Sequence, residues 1–238
     1  PLSNKIEEGV ESGPTLDVGP EGHIYVFWHA GPVDDAHRRV YMVMSRDEGS
    51  TFTQPKAINP PTTGVCACCG LRAFADTHGS LFLAYRAARN NVGRAMRLLT
   101  STDQGQAFDD RLIHQWDLPA CPVSTTTMSG WSNDTVVAWE TQGQVYLAST
   151  TQPEQTTVPP GLANFRRKNP AVAVNSKGDA LLAWGDGPGF QSGGTLHWQL
   201  FDGDKRPYGP IDSTSIPIPT RSVPTASSRA DESFLIVY

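Results

Sequence analysis

Five short apolar runs recur along the chain, and each of them ends in an aromatic residue. The runs occupy residues 24–28, 81–85, 135–139, 180–184 and 234–238, and they close on Trp28, Tyr85, Trp139, Trp184 and Tyr238. Runs of this length that are rich in β-branched and aromatic residues predict strands. A period of roughly 50 residues is typical of four-stranded repeats. We name the strand that carries each run strand B of its repeat.

The segments around each strand B predict the neighbouring strands A and C. Pro14, Pro170 and Pro224 precede the closing aromatic residues of their repeats by the same interval. A turn rich in Gly, Asp or Asn separates each proline from strand B, so the segment predicts a hairpin of strands A and B. The third strands are predicted at residues 40–44 and 95–99. No window keeps a helical period, because 22 Gly and 19 Pro are spread along the chain, and an all-β fold is therefore expected.

An octet motif, Ser-x-Asp-x-Gly-x-Thr-Phe, occupies residues 45–52 and recurs at residues 101–108, where Ala107 replaces the threonine. It resembles the Asp box of sialidase-like β-propellers, which closes the hairpin between the third and fourth strands of a blade. The matching residues are Ser45, Asp47, Gly49, Thr51, Phe52, Ser101, Asp103, Gly105 and Phe108. We expect the Asp carboxylates to accept hydrogen bonds from the backbone of their own turns, which is a structural role. Decayed copies are predicted at residues 149–153 and 201–204.

The resemblance implies a propeller of four-stranded blades, five or six if complete. Residues 1–238 are expected to form a single propeller domain that covers four to five blades and is truncated or processed at one or both ends. Residues 1–9 resemble an outer strand, and we expect them to complete a blade begun at the other end of the chain, as propellers commonly do to remove open edges.

One face of such a fold carries the loops that follow strand B and those that precede strand A, and the Asp boxes lie on the other. His29, Arg86, Glu140 and Asp186 follow the strand B runs at nearly equivalent positions. They are predicted to line a polar pocket on that face. The alternative is that they are solvated loop charges, which are common at the starts of loops.

All four cysteines map to the same face. Cys66, Cys68 and Cys69 precede strand A of the second repeat, and Cys121 occupies the matching stretch of the third. Three interpretations remain open. The cysteines form disulfides that join adjacent blades, they bind copper, zinc or iron as thiolates, or they are buried thiols with a redox-active pair among them.

The resemblance also implies two classes of function. Catalytic sialidases hold a substrate carboxylate with three arginines and use a tyrosine nucleophile with carboxylate partners. The weak catalytic candidates are Arg72, Arg86, Glu140 and Asp186, but an arginine triad with a Tyr-Glu pair is not recognisable in the sequence. We therefore expect a non-catalytic binding or assembly module for a protein partner or a glycan. The alternatives are a sialidase-type glycoside hydrolase that acts on acidic glycans and a metal-binding, redox-associated propeller subunit.

Composition excludes further classes of function. A net charge of −5 without a basic stripe argues against nucleic-acid binding. No apolar stretch reaches the roughly 20 residues that a membrane span needs, and the cysteines favour an exported protein that is secreted, periplasmic or held at the cell surface. The basic run at residues 166–168 is predicted to be a solvated loop, and the dispersed histidines, including His197, to be surface or turn residues.

Overall fold

The protein is nearly all β. The structure, a computed structural model, describes residues 13–32, 34–89, 92–119, 123–132, 134–161, 166–188 and 192–238. Within these ranges every element is a strand except a 3₁₀ helix at Asp35–His37, and none contains a helix long and apolar enough to span a membrane. The chain divides into two compact units, Pro1–Val123 and Ser124–Tyr238. The single domain stays a prediction, and residues 1–9 lie outside the described ranges.

The first unit contains two antiparallel four-stranded sheets, which we call blades 1 and 2. Blade 1 consists of β1 (Thr15–Val18), β2 (Ile24–Ala30), β3 (Arg39–Ser45) and β4 (Lys56–Ala57). Blade 2 consists of β5 (Arg72–Ala75), β6 (Leu81–Arg89), β7 (Gly93–Ser101) and β8 (Asp109–Asp117). In both blades the strands pair in sequence order, so strands A to D of the predicted repeat are confirmed here.

The second unit contains blade 3, blade 4 and a hairpin. Blade 3 has three strands, β9 (Thr126–Trp131), β10 (Asp134–Thr141) and β11 (Gln144–Ser149). Blade 4 has four, β12 (Arg167–Val174), β13 (Ala180–Asp186), β14 (Thr195–Phe201) and β15 (Pro207–Pro217). The hairpin pairs β16 (Thr225–Ser228) with β17 (Phe234–Val237). All five predicted strand B runs therefore coincide with strands β2, β6, β10, β13 and β17.

Neighbouring sheets in each unit bury their apolar faces against each other. In the first unit one core joins both blades and includes Phe27, Val40, Leu83 and Leu99. The inner strands are also tied by side chains: the backbone N–H of Ala75 donates to Asp17 Oδ2 at 2.8 Å. In the second unit an equivalent core joins blades 3 and 4, and another joins blade 4 to the hairpin. Each blade thus depends on its neighbour for burial, as expected for repeats of this kind.

The aromatic residue near the end of strand B usually stacks on its cross-strand partner in strand C. Trp139 lies opposite Tyr146, with ring centroids 5.4 Å apart, and Trp184 lies opposite His197 at 6.1 Å. Trp28 and Tyr41 form the same pair in blade 1. Such cross-strand aromatic pairs stabilise a sheet locally. Blade 2 departs from this pattern, because Tyr85 faces Arg97 and donates its hydroxyl hydrogen bond to Thr63.

The first Asp box is a turn whose polar groups are satisfied locally. Asp47 Oδ1 accepts the N–H of Thr51 at 2.8 Å and the hydroxyl of Ser45 at 2.8 Å, while Oδ2 accepts the Thr51 hydroxyl at 2.6 Å. The hydroxyl of Ser45 in turn accepts the N–H of Gly49. These bonds, those of Thr51 foremost, lower the pKa of Asp47 to about 2.

The second Asp box repeats this geometry between β7 and β8. Asp103 accepts the N–H of Ala107 at 2.9 Å, and Ser101 Oγ accepts the N–H of Gly105 at 2.9 Å. Ala107 has no hydroxyl, so the bond made by the Thr51 side chain in the first box has no counterpart here. The decayed fourth copy keeps a similar turn, in which Asp202 Oδ1 accepts the N–H groups of Asp204 and Arg206.

Candidate functional site

The cysteine loop of the first unit, residues 64–70, brings three sulfur atoms together. Cys66 Sγ lies 3.2 Å from Cys69 Sγ and 3.5 Å from Cys68 Sγ, and the third separation is 3.8 Å. All three side chains are buried, and Ala88 of β6 packs against them. Cys66 and Cys69 are thiols, and a disulfide at Cys68 stays a prediction. Cys121 lies outside the described residues, so its part in a disulfide or a metal site stays a prediction.

The loop is held by bonds to two other segments of the first unit. The backbone O of Asp35 accepts the N–H of Val65 at 2.9 Å, and its Oδ1 accepts the N–H of Ala67 at 3.1 Å. On the other side the N–H of Cys66 donates to the backbone O of Arg86 at 2.9 Å. The 3₁₀ helix of blade 1 and the end of strand B in blade 2 therefore fix the loop from both sides.

Gly64 allows this close approach. It has φ +59, and a Cβ at this position would lie 2.3 Å from the backbone O of Ala88 and 2.6 Å from that of Asp35. Only a residue without a side chain fits between two backbone oxygens in this way. The glycine is therefore required by the position of the cysteine loop.

The Cys66 sulfur lies in surroundings that favour the neutral thiol when no metal is bound. The Cys66 thiol donates to Cys69 Sγ, and this hydrogen bond, followed by burial, raises the pKa of Cys66. A raised pKa argues against a reactive thiolate nucleophile, which needs a lowered one. Metal coordination can still displace the proton, as it does at other thiol sites. The Sγ atoms of Cys66, Cys68 and Cys69 are all close enough to one another to ligate one ion.

The first unit also buries several basic residues. His29 at the end of β2, Arg38 before β3, Arg86 in β6 and Arg94 in β7 are each at most 5% exposed. Arg38 Nε lies 3.8 Å from Asp35 Oδ1, the oxygen that also bonds the loop. The guanidinium of Arg86 lies 4.9 Å from the centroid of Trp116, within cation-π range.

His29 is held in its neutral form by this environment. Burial, and then the positive charge of Arg38, lower the pKa of His29 to about 4. The imidazole therefore carries no charge at neutral pH. His29 and Arg86 are both buried, so the alternative of solvated loop charges is wrong for these two residues.

The second unit buries a carboxylate at the equivalent end of strand B. Glu140 is 3% exposed. Its Oε2 accepts the N–H of Asn169, and its Oε1 lies 3.6 Å from Lys168 Nζ. The strand register shifts between Lys168 and Ala171, and Asn169 has φ +56. This bulge turns a backbone N–H toward Glu140, which is the kind of local redirection that bulges provide near functional sites.

Asp186 lies in an open cleft of about 410 Å³ in the same unit. The cleft is lined by Asp186, Ser192, Gly194, Thr195, His197 and Pro217, with Gly187. Asp186 Oδ2 lies 3.9 Å from His197 Nε2, and both side chains remain partly accessible. The imidazole stacks on Trp184, which holds its plane. Unlike Glu140, Asp186 is therefore positioned to meet a ligand from solvent.

Arg167 supports the aromatic side of this cleft. It is 4% exposed, its guanidinium lies 5.2 Å from the Trp184 centroid, and it donates to the backbone O of Pro159 at 3.1 Å. Burial lowers its pKa, against the opposing charge of Asp186. The prediction that residues 166–168 form a solvated loop is thus wrong for Arg167. This side chain is buried because its guanidinium packs on an aromatic face of the neighbouring strand, β13.

The predicted site residues fall into two groups. Cys66, Cys68, Cys69, His29 and Arg86 belong to the first unit, and Glu140 and Asp186 belong to the second. That the four strand B residues line one pocket stays a prediction. Arg72 begins β5 and is exposed. The burial of Arg38 and Arg94, the bulge at Asn169 and the position of His197 in the cleft were not predicted from the sequence. The pairing of His197 with the aromatic residue of strand B was a signal that could have identified His197.

The chain resembles solved structures of glycosidases in fold, but at low sequence identity. No protein-family model and no curated protein sequence matches it. The α-L-arabinanase of Penicillium chrysogenum, solved with arabinobiose, aligns with a TM-score of 0.67 and 15% identity over 94% of this chain and 74% of that one. The GH93 α-L-arabinofuranosidase of Fusarium graminearum, also solved with arabinobiose, aligns with a TM-score of 0.65 and 11% identity over 94% of this chain and 73% of that one.

A sialidase is also among the similar structures. The NanB sialidase from Streptococcus pneumoniae aligns with a TM-score of 0.52 and 16% identity over 84% of this chain and 32% of that one. At these identities the comparisons show the fold and no more. Together with the four-stranded antiparallel blades and the two Asp boxes, they show that this chain has the sialidase-like β-propeller fold.

Proposed function

We propose that this chain is a glycan-binding propeller, exported from the cytoplasm, and that its sugar ligand occupies the cleft of the second unit beside Asp186 and His197. The observation that carries the proposal is this cleft. It has about 410 Å³ of space, an accessible carboxylate and an imidazole held in a fixed plane. Polar groups fixed on an apolar support are typical of small-molecule sites.

The chemistry of the cleft suits a neutral sugar. The Asp186 carboxylate can accept hydrogen bonds from adjacent hydroxyl groups, while the hydroxyls of Ser192 and Thr195 can both donate and accept. An acidic sugar would bring a second negative charge next to Asp186, which costs binding energy in a partly desolvated site. Two structures of the same fold were solved with arabinobiose, a neutral disaccharide, which supports this choice of ligand.

Calorimetric titration of the full chain with arabinobiose tests the proposal, with a sialylated trisaccharide as the acidic probe. At about −0.3 kcal/mol per non-hydrogen atom, a disaccharide binds with a Kd on the order of 0.1 mM. Asp186→Ala should weaken binding about 10-fold or more, because it removes charged hydrogen bonds. Asp204→Ala is the matched control, since Asp204 is an exposed aspartate in a turn of the same unit. Equal binding by both variants would exclude the cleft as the site.

Hydrolysis of the bound glycan is a second candidate function, and a specific observation favours it. The second unit carries two carboxylates, Glu140 and Asp186, near the ends of neighbouring strands B, and glycoside hydrolases commonly act through a carboxylate pair. Glu140→Gln should then reduce sugar release by about 100-fold or more while arabinobiose still binds. If the unaltered chain binds arabinobiose but releases no sugar, the hydrolase is excluded and the proposal of a binding module stands.

A further inference from the structure

The cysteine loop of the first unit carries chemistry that glycan binding does not use. We propose that Cys66, Cys68 and Cys69, when all three are reduced, form a binding site for a single Cu(I) ion. Their three sulfur atoms lie within 3.8 Å of one another, come from one short loop and are buried. Soft thiolate ligands of this kind select soft ions such as Cu(I) over the hard cations that prefer oxygen.

The spacing of the sulfur atoms fits one ion. A point equidistant from the three Sγ atoms lies about 2.0 Å from each, slightly less than the roughly 2.3 Å of a typical zinc–thiolate bond. An ion with bonds of that length would lie about 1 Å out of the sulfur plane and would need only small side-chain adjustments. Structural Zn²⁺ sites almost always have four protein ligands, whereas the described loop supplies three sulfurs. Three thiolates are the ligand set that the described loop offers, and soft ions such as Cu(I) are selected by ligands of this kind.

The backbone around the sulfurs is fixed before any ion arrives. Asp35 and the backbone O of Arg86 hold the loop from two sides, and Gly64 allows it to lie against β6. A preorganised loop lowers the entropic cost of bringing three ligands together.

The redox state of Cys68 makes the site switchable. A disulfide at Cys68 leaves only the thiols of Cys66 and Cys69 in the loop, so a chain oxidised in this way offers two ligands instead of three. A dithiol reductant supplies the two electrons that break such a sulfur–sulfur bond, becomes a cyclic disulfide itself and leaves a thiol at Cys68 and a second thiol at the cysteine that was bonded to it. Each of the three thiols then releases its proton to solvent as it coordinates. Copper should therefore bind the reduced chain and much more weakly the oxidised one.

The experiment uses the full chain under anaerobic conditions, with and without prior reduction by a dithiol that is removed before the titration. Cu(I) is added in competition with a chromophoric Cu(I) chelator, and bound copper is counted by elemental analysis. We expect one copper per reduced chain, together with sulfur-to-copper charge-transfer absorption in the ultraviolet. A parallel titration with Zn²⁺ measures whether the same site binds zinc.

Variants identify the ligands. Cys66→Ser, Cys68→Ser and Cys69→Ser should each weaken Cu(I) binding by more than the roughly 10- to 100-fold that loss of an outer-shell partner typically costs. Ala67→Ser lies between two of the ligands and should leave binding unchanged. Folding of every variant is checked by circular dichroism, and arabinobiose titration shows that the second unit is intact. Because the two sites are in different units, loss of copper binding alone leaves the glycan proposal standing.

A measurement that does not depend on substitution keeps the proposal testable if a variant fails to fold. Bound copper should protect the three cysteines of the reduced, unaltered chain from alkylation, as read by peptide mass spectrometry. Rapid alkylation at full copper loading would overturn the proposal. So would stoichiometric Zn²⁺ with weak Cu(I), equally tight copper in the oxidised chain, or an intact mass showing that all cysteines are thiols while copper still does not bind.

Discussion

Substitution of Gly64 by alanine should destabilise the first unit far more than a comparable substitution elsewhere. The new Cβ would lie 2.3 Å from the backbone O of Ala88 and 2.6 Å from that of Asp35. Both neighbours are backbone atoms, so they cannot rotate away. A left-handed backbone costs a non-glycine residue roughly 1–2 kcal/mol, and overpacking typically adds about 1–3 kcal/mol. Together these give a loss of about 2 to 5 kcal/mol for Gly64→Ala.

The matched control is Gly22→Ala in the turn between β1 and β2. Gly22 has a similar φ of +79, but nothing lies within 4 Å of a Cβ added there. Only the backbone cost of about 1 to 2 kcal/mol applies to this variant. Urea unfolding of both variants gives the two free-energy losses directly. If Gly64→Ala were as stable as Gly22→Ala or more so, the close packing of the cysteine loop against Ala88 and Asp35 would be refuted.

Three further predictions concern pH and the core. Burial lowers the pKa of His29 from its ordinary 6.5 to about 4. The contribution of neutral His29 to the free energy of unfolding should therefore be full above pH 6.5 and fall by on the order of 3 kcal/mol toward pH 4. In His29→Gln this part of the pH dependence of the urea-unfolding midpoint should be absent. The pKa of Asp47, lowered to about 2, makes its contribution present above about pH 3.8 and lost as pH falls toward 2, so Asp47→Asn should remove that part of the acid sensitivity. Leu147→Ala, at a fully buried position in the core between blades 3 and 4, should cost about 2 to 5 kcal/mol in the same assay, and a loss below about 1 kcal/mol would contradict that core.

The strands were predictable because their signals are local. Each strand B is an apolar run whose last residue packs on a cross-strand neighbour, and each Asp box satisfies its turn within its own few residues. The outer strands were harder to recognise. β4 spans only Lys56–Ala57, and β15 is a long strand with a mostly exposed, polar sequence. Outer strands face solvent on much of their surface, so their sequences carry little periodic pattern.

The candidate site was predicted only where repetition revealed it. The register of the repeats identified the strand B ends and the cysteine segment before strand A. It did not reveal that Arg38, Arg94 and Arg167 are buried, because an isolated arginine in a sequence is far more often on the surface. Nor did it reveal the bulge at Asn169, since the shift of register depends on pairing with β13.

The two ends of the blades differ in how their polar groups are satisfied, and this difference explains why fold and function are not equally predictable from the sequence. At the Asp-box end, Asp47 bonds Thr51 in its own turn. At the opposite end, Asp35 bonds Ala67 across 32 residues, and Glu140 bonds Asn169 across 29. Local bonds form whatever the neighbouring blade contains, so they preserve the repeat. Bonds between segments of different blades can change residue by residue without disturbing it. Segments joined by such long-range bonds are therefore where this chain can carry chemistry of its own, and both the cysteine loop and the Asp186 cleft lie beside segments of this kind.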